Sequence, residues 1–164
     1  MKSSLLFNFA VDKENKTIEV TREFAAEPEV VWNAWTKPEI LDQWWAPQPY
    51  QNRTKSMDFR EGGRWHYSMT GPEGDKHWAL MDYKTISPKK QFSAIDAFCN
   101  EEGEINTSFP QNTWETRFED SEDGTTVNVT LSFDKLEDLE KLIQMGFKEG
   151  FMAALDQLEA LMEK

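Results

Sequence analysis

"TTVNVTLSFDKLEDLEKLIQMGFKEGFMAALDQLEALMEK", residues 125–164, changes its hydrophobic period partway along. In the first nine residues Val127, Val129, Leu131 and Phe133 alternate with Thr126, Asn128, Thr130 and Ser132, the period of a strand with one buried face. From residue 135 the apolar positions Leu139, Leu142, Ile143, Phe147, Phe151, Ala154, Leu158, Leu161 and Met162 form a helical stripe. The reading is a single closing helix over 135–164, about 45 Å long at a rise of ~1.5 Å per residue. Asp134 suits its N-cap, and Glu137, Asp138 and Glu140 suit first turns, where the helix dipole favours negative charge. Gly146 and Gly150 sit inside it at a cost of about 1 kcal/mol each relative to alanine, so they either kink the helix or admit something close to its backbone.

Working back from that strand, residues 53–133 read as a meander. "RTKSMDFR", "RWHYSMT", "KHWALMDYKTI", "QFSAIDAFCN", "TWETRFE" and "TTVNVTLSF" are separated by "EGG", "GPEGD", "SPKK", the longer polar loop "EEGEINTSFPQN" and "DSEDG". Short polar turns between successive strands demand antiparallel pairing. Parity sets Trp65, Tyr67 and Met69 against His66, Ser68 and Thr70, and Trp114, Thr116 and Phe118 against Glu115 and Arg117. Trp78 and Leu80 share a face with Asp82, and Phe92, Ala94 and Phe98 share one with Asp96.

Before the meander, residues 5–11 and 17–24 form a strand pair across "DKENK". Arg22 falls in phase with Ile18, Val20 and Phe24, so it reaches the rim or bonds a polar group inside. Pro28 and Pro38 each suit a first helical position; "PEVVWNAW" and a second short helix with Ile40, Leu41, Trp44 and Trp45 follow, ended by Pro47 and Pro49. Segregated helices and one antiparallel sheet make an α+β fold in which a curved sheet grips the closing helix, as one domain over 1–164.

Composition narrows the function. With 38% apolar and 13% aromatic residues the chain folds, and thirty acidic against eighteen basic residues, a net charge of −12, disfavour nucleic acid and anionic membrane surfaces. No stretch approaches the ~20 apolar residues of a membrane span. The one cysteine, Cys99, makes no internal disulfide, which suits a cytoplasmic protein, and no basic cluster beside it lowers its pKa. His66 and His77 belong to no metal motif and fall opposite the ring-bearing face by parity, so both read as surface residues; no metal and no cofactor is implied.

On the inward face Trp65, Tyr67, Trp78, Phe98 and Trp114 confront Phe147 and Phe151 of the helix. Large rings around a space beside two glycines leave either a well-filled core or an apolar pocket in the usual range of ~300–1,000 Å³. Asp82 and Asp96 interrupt apolar faces; a carboxylate there is paired, protonated, in contact with a ligand, or turned outward by a bulge, and Arg22 or the Tyr67 hydroxyl would be partners for Asp96.

Three segments, "TREFAAEPEVVWNAWTKPEILDQWWAP" (21–47), "FREGGRWHYSMTGPEGD" (59–75) and "MGFKEGFMAALDQLEALM" (145–162), closely resemble bacterial single-domain homologues of the heat-shock ATPase activator, of the AHSA type, within the START-like (SRPBCC, helix-grip) superfamily. The likeness runs over nearly the whole chain from about residue 17. It implies the helix-grip fold and an apolar cavity between the closing helix and the sheet. In that fold Trp44 and Trp45 splay, one toward the core and one toward the cavity mouth. The expected function is non-catalytic binding of a small hydrophobic or aromatic molecule, as a carrier or sensor. The ligand-binding residues would be Trp45, Trp65, Tyr67, Trp78, Asp96, Phe98, Trp114, Phe147, Gly150 and Phe151. The alternatives are a cyclase-like or hydrolytic enzyme using Asp96, and a chaperone-associated interaction module with an unknown protein partner.

Overall fold

The computed structural model describes residues 7–162, so the first two positions of the strand expected at 5–11 and the last two of the helix expected at 135–164 lie outside the described residues. The elements are β1 (Phe7–Asp12), β2 (Thr17–Phe24), α1 (Pro28–Thr36), α2 (Pro38–Trp44), β3 (Gln51–Met57), β4 (Arg64–Thr70), β5 (Lys76–Ser87), β6 (Gln91–Phe98), β7 (Thr113–Ser121), β8 (Gly124–Ser132), α3 (Leu136–Gln144) and α4 (Phe147–Met162). The strands form one antiparallel sheet in the order β1-β2-β8-β7-β6-β5-β4-β3. The expected meander is thus β3 to β8, and β2 joins it by pairing with β8, where Val20 faces Val129 and Ile18 faces Leu131. This is the α+β helix-grip architecture, with the helices on one face of the sheet.

Pro28 and Pro38 stand at the starts of α1 and α2, as their fixed φ and missing N–H favour. At nine and seven residues these helices are too short to stand alone, so packing holds them. Gln157 of α4 supplies part of the hold. Its Nε2 donates to the Trp44 and Ala46 carbonyls, and its Oε1 accepts from the Gln48 N–H, satisfying backbone groups left over where α2 ends.

Two expectations about the closing helix need correction. It is two helices, not one: Gly146 takes φ +89°, a left-handed conformation that glycine adopts at little cost, and stops α3 before α4 begins. The N-cap is Lys135 rather than Asp134, with no side-chain cap bond. Gly150 keeps helical geometry inside α4.

Arg22 is buried in phase with Ile18 and Phe24, and its Nη2 lies 2.8 Å from Asp156 and 2.9 Å from Glu159. It fastens β2 to α4 and is therefore not the partner of Asp96.

Candidate functional site

Between the β4–β7 part of the sheet and the α3–α4 break lies a cleft of about 290 Å³. Its sheet side is formed by Tyr67, Ala79, Asp96, Phe98 and Trp114, with Trp45 beside them; its helix side by Leu142, Met145, Phe147, Gly150 and Phe151. The break at Gly146 creates this wall, because α3 and α4 meet at the cleft instead of running past it. A Cβ built on Gly150 would find only the Pro47 ring within van der Waals range, at 3.8 Å.

The rings hold one another in place. Phe147 and Phe151 are stacked at 5.3 Å, and Trp114 meets Phe151 edge-on at 5.6 Å. Trp45 lies 5.7 Å from Trp114 and 6.0 Å from Phe151. Interlocked aromatic pairs of this kind each add about 0.5–1.5 kcal/mol beyond burial, which keeps the walls from collapsing inward.

One end of the cleft is polar. Asp96 faces inward in the same phase as Ala94 and Phe98, directly across from Met81. Its Oδ1 accepts from the Asn112 N–H at 2.8 Å and its Oδ2 from the Trp114 Nε1–H at 2.8 Å. Burial pushes its pKa up to about 6, partly offset by those two hydrogen bonds. Tyr67 is buried nearby, its phenol pushed up chiefly by desolvation while a hydrogen bond with Trp45 acts the other way. Asn112 is 5% exposed, and its Oδ1 has no hydrogen-bond partner.

Not all of the expected site residues meet here. Trp45, Tyr67, Asp96, Phe98, Trp114, Phe147, Gly150 and Phe151 line the cleft, but Trp65 and Trp78 do not. Trp65 stacks on Tyr67 at 4.0 Å from the core side and borders only a small void of about 20 Å³, room for one water. Trp78 is on the opposite face of the sheet. The β4–β5 register pairs Tyr67 with Ala79 and Ser68 with Trp78, so Trp78 joins His66 outside, their rings 5.1 Å apart.

The β4–β5 register bears on three further expectations. Asp82 is outward in regular register, without a bulge at its position, and its two carboxylate oxygens pair with Arg64 at 2.6 and 3.1 Å. His77 is exposed as expected, but it shares the inner phase, opposite Met69, and stands at the cleft rim, 3.2 Å from Asp75. His66 is not a surface residue: it is buried, with Nε2 3.1 Å from the Asn100 carbonyl oxygen. The segment after β6 covers this outer face, since Gly103 also accepts from Arg64 and Glu101 from Lys55. That segment then returns to the cleft, where Pro110 and Asn112 close the polar end, a contribution no periodicity in "EEGEINTSFPQN" announces.

Among the described residues no group of three or more His, Cys, Asp or Glu side chains could hold a metal ion. Cys99 is partly exposed, and desolvation raises its pKa, the wrong direction for a nucleophilic thiol. No described helix is long and apolar enough to cross a membrane.

Comparison with known proteins agrees with this architecture. The family model "Activator of Hsp90 ATPase homolog 1-like protein" matches residues 25–163. Protein Ms6760 from Mycobacterium smegmatis is similar at 29% identity over 96% of each chain, with a TM-score of 0.87. A protein from Arthrobacter aurescens is similar at 27% identity over 95% of this chain and 91% of its own, with a TM-score of 0.89. One from Staphylococcus epidermidis is similar at 28% identity over 94% and 93%, with a TM-score of 0.83. No curated protein is significantly similar. A helix-grip fold and a family match spanning all but the N-terminal strands lead to one assignment: the chain belongs to the family of Activator of Hsp90 ATPase homolog 1-like proteins.

Proposed function

We propose that this cytoplasmic protein binds a small hydrophobic or aromatic molecule in the cleft, without transforming it, as a carrier or sensor. The observation that supports this most is a ring-lined space of about 290 Å³ kept open beside a helical glycine. A ligand of about 20 heavy atoms at roughly −0.3 kcal/mol per atom would gain ~6 kcal/mol, an affinity of tens of micromolar.

Gly150 provides the test. Gly150→Trp places an indole in the cleft and is expected to abolish the fluorescence rise of N-phenyl-1-naphthylamine, a neutral aromatic probe, while the circular dichroism stays unchanged. Gly150→Ala, with only Pro47 in reach of the new methyl, should bind the probe like the parent and gain about 0.5–1 kcal/mol from helix propensity. Undiminished probe affinity in Gly150→Trp would move the binding site elsewhere.

Asp96 favours a second reading, a cyclase-like or hydrolytic enzyme, because a carboxyl with a pKa near 6 is suited to proton transfer near neutrality. Asp96→Asn would then stop turnover of a substrate it still binds. The family match also admits a chaperone-associated role carried by the acidic surface. That role requires a basic protein partner whose binding weakens steeply with salt and is untouched by Gly150→Trp.

A further inference from the structure

We infer that the molecule taken by the cleft is a cation: an apolar organic amine whose ammonium sits against Asp96 while its hydrocarbon or ring lies among Trp45, Trp114, Phe147 and Phe151. This rests on the reading of the cleft as a binding site and names the class of molecule it selects.

Asp96 has only neutral donors, the Asn112 N–H and the Trp114 indole. An ionised carboxylate offers about four lone-pair sites, so these two leave acceptor capacity over. Among the described residues no lysine, arginine or histidine pairs with it. An ammonium carries three donors and the one charge the site lacks, so it fills that capacity and neutralises the carboxylate. A neutral ligand would cover this half-buried anion and leave it uncompensated, and an anionic one would add repulsion.

The walls favour the same class. Trp45, Trp114 and Tyr67 line the cleft, and a cation that reaches the face of such a ring within about 6 Å gains roughly 0.5–2 kcal/mol. A net charge of −12 raises the local concentration of cations over the whole surface.

Other ionisable groups around the cleft do not take the role. Tyr67 on β4 stays a neutral phenol, and His77 on β5 is engaged at the rim with Asp75. Lys141 of α3 lies over the Phe109 ring at 5.1 Å and Lys148 of α4 over the Phe9 ring at 5.5 Å. The remaining helix-side lining, Leu142, Met145, Phe147 and Phe151, carries no charge. The pKa of about 6 leaves Asp96 mostly ionised above neutrality, when the need for a cation is greatest.

The test uses three probes of matched shape, 4-phenylbutylamine, 4-phenyl-1-butanol and 4-phenylbutanoate, measured by titration calorimetry in low salt. At about pH 7.5 the amine should bind at least about tenfold tighter than the alcohol, the equivalent of ~1.4 kcal/mol, with the butanoate weakest. In Asp96→Asn the amine's advantage should fall below about threefold while alcohol affinity persists, which also shows the variant is folded. In the parent protein the advantage should shrink as pH falls to about 5, because the carboxylate takes up a proton while an alkylammonium, titrating like lysine near ~10.4, keeps its own. The same pH series in Asp96→Asn measures what groups other than Asp96 contribute. Should Asp96→Asn not fold, Asp96→Ser takes its place in both measurements. Equal binding of amine and alcohol, an advantage that survives Asp96→Asn, or one that does not change with pH overturns the inference yet leaves an apolar cleft. Binding of none of the three overturns the cleft reading itself.

Discussion

Trp44→Ala is expected to lower the unfolding free energy by about 3–5 kcal/mol, the usual cost of removing a fully buried large aromatic. Trp44 is 0% exposed, its ring 4.8 Å from Trp35 and 5.3 Å from Trp45. A second term comes from the backbone. In α1 the Ala34 carbonyl would normally receive the N–H of the residue four positions on, but that residue is Pro38, which has none. The Trp44 Nε1–H fills the vacancy at 2.9 Å. Removing the indole therefore leaves both a cavity and a buried acceptor without a partner. Trp44→Phe helps to separate the two, since it keeps one six-membered ring in place while losing the donor and a smaller volume; it should cost less, about 1–3 kcal/mol. Urea unfolding followed by circular dichroism measures both. A loss below about 1 kcal/mol for Trp44→Ala would mean that α2 is not anchored through this residue. Typical stabilities are only about 5–15 kcal/mol, so the larger figure would bring the chain close to unfolding at room temperature.

This pairing explains the two adjacent tryptophans. Trp44 turns back to finish α1, and Trp45, about 100° further round, turns forward to the cleft. The sequence contains the reason, a proline in the position where a donor is needed, but only coordinates show which of two indoles supplies it.

Legibility followed the number of covered faces. β8 alternates cleanly because one face packs on the helices while threonine, asparagine and serine line the other, so its phase is plain from residues 125–133. β5 has apolar residues in both phases, Trp78 and Leu80 in one and Ala79, Met81 and Tyr83 in the other. Parity shows which residues travel together and not which set turns inward. The outer phase is apolar because the segment after β6 covers it, and Leu80 is fully buried there. A long polar loop gives no sign of where it will lie, which is why Trp78 was expected inside and His66 exposed. The helix break has a similar origin. Gly146 and Gly150 look alike in sequence, and only the left-handed φ of the first distinguishes the residue that ends a helix from the one that leaves room beside it.

Between about pH 4 and pH 8, the stability of Asp96→Asn relative to the parent protein is expected to rise by on the order of 3 kcal/mol, which is what a carboxyl shifted from 3.8 to about 6 represents. The sign follows from proton binding. The folded carboxyl holds its proton up to about 6, whereas the unfolded one releases it near the ordinary value of 3.8. Its contribution to stability is thus fully present below 3.8 and is lost as pH rises through 6, where folding must bury a charge. Asparagine has no such charge. At the acid end the variant should be the weaker protein, because one amide oxygen cannot serve both the Asn112 N–H and the Trp114 indole. Asp75 and Asp12, held low by hydrogen bonds from Tyr50 and Asn15, contribute with the opposite sign as pH falls, but they are common to both proteins and cancel in the difference. Paired urea titrations across this range read that difference directly. A difference independent of pH would mean that water reaches the Asp96 carboxylate in the folded state. The case for an amine in the cleft would then lose its poorly hydrated anion.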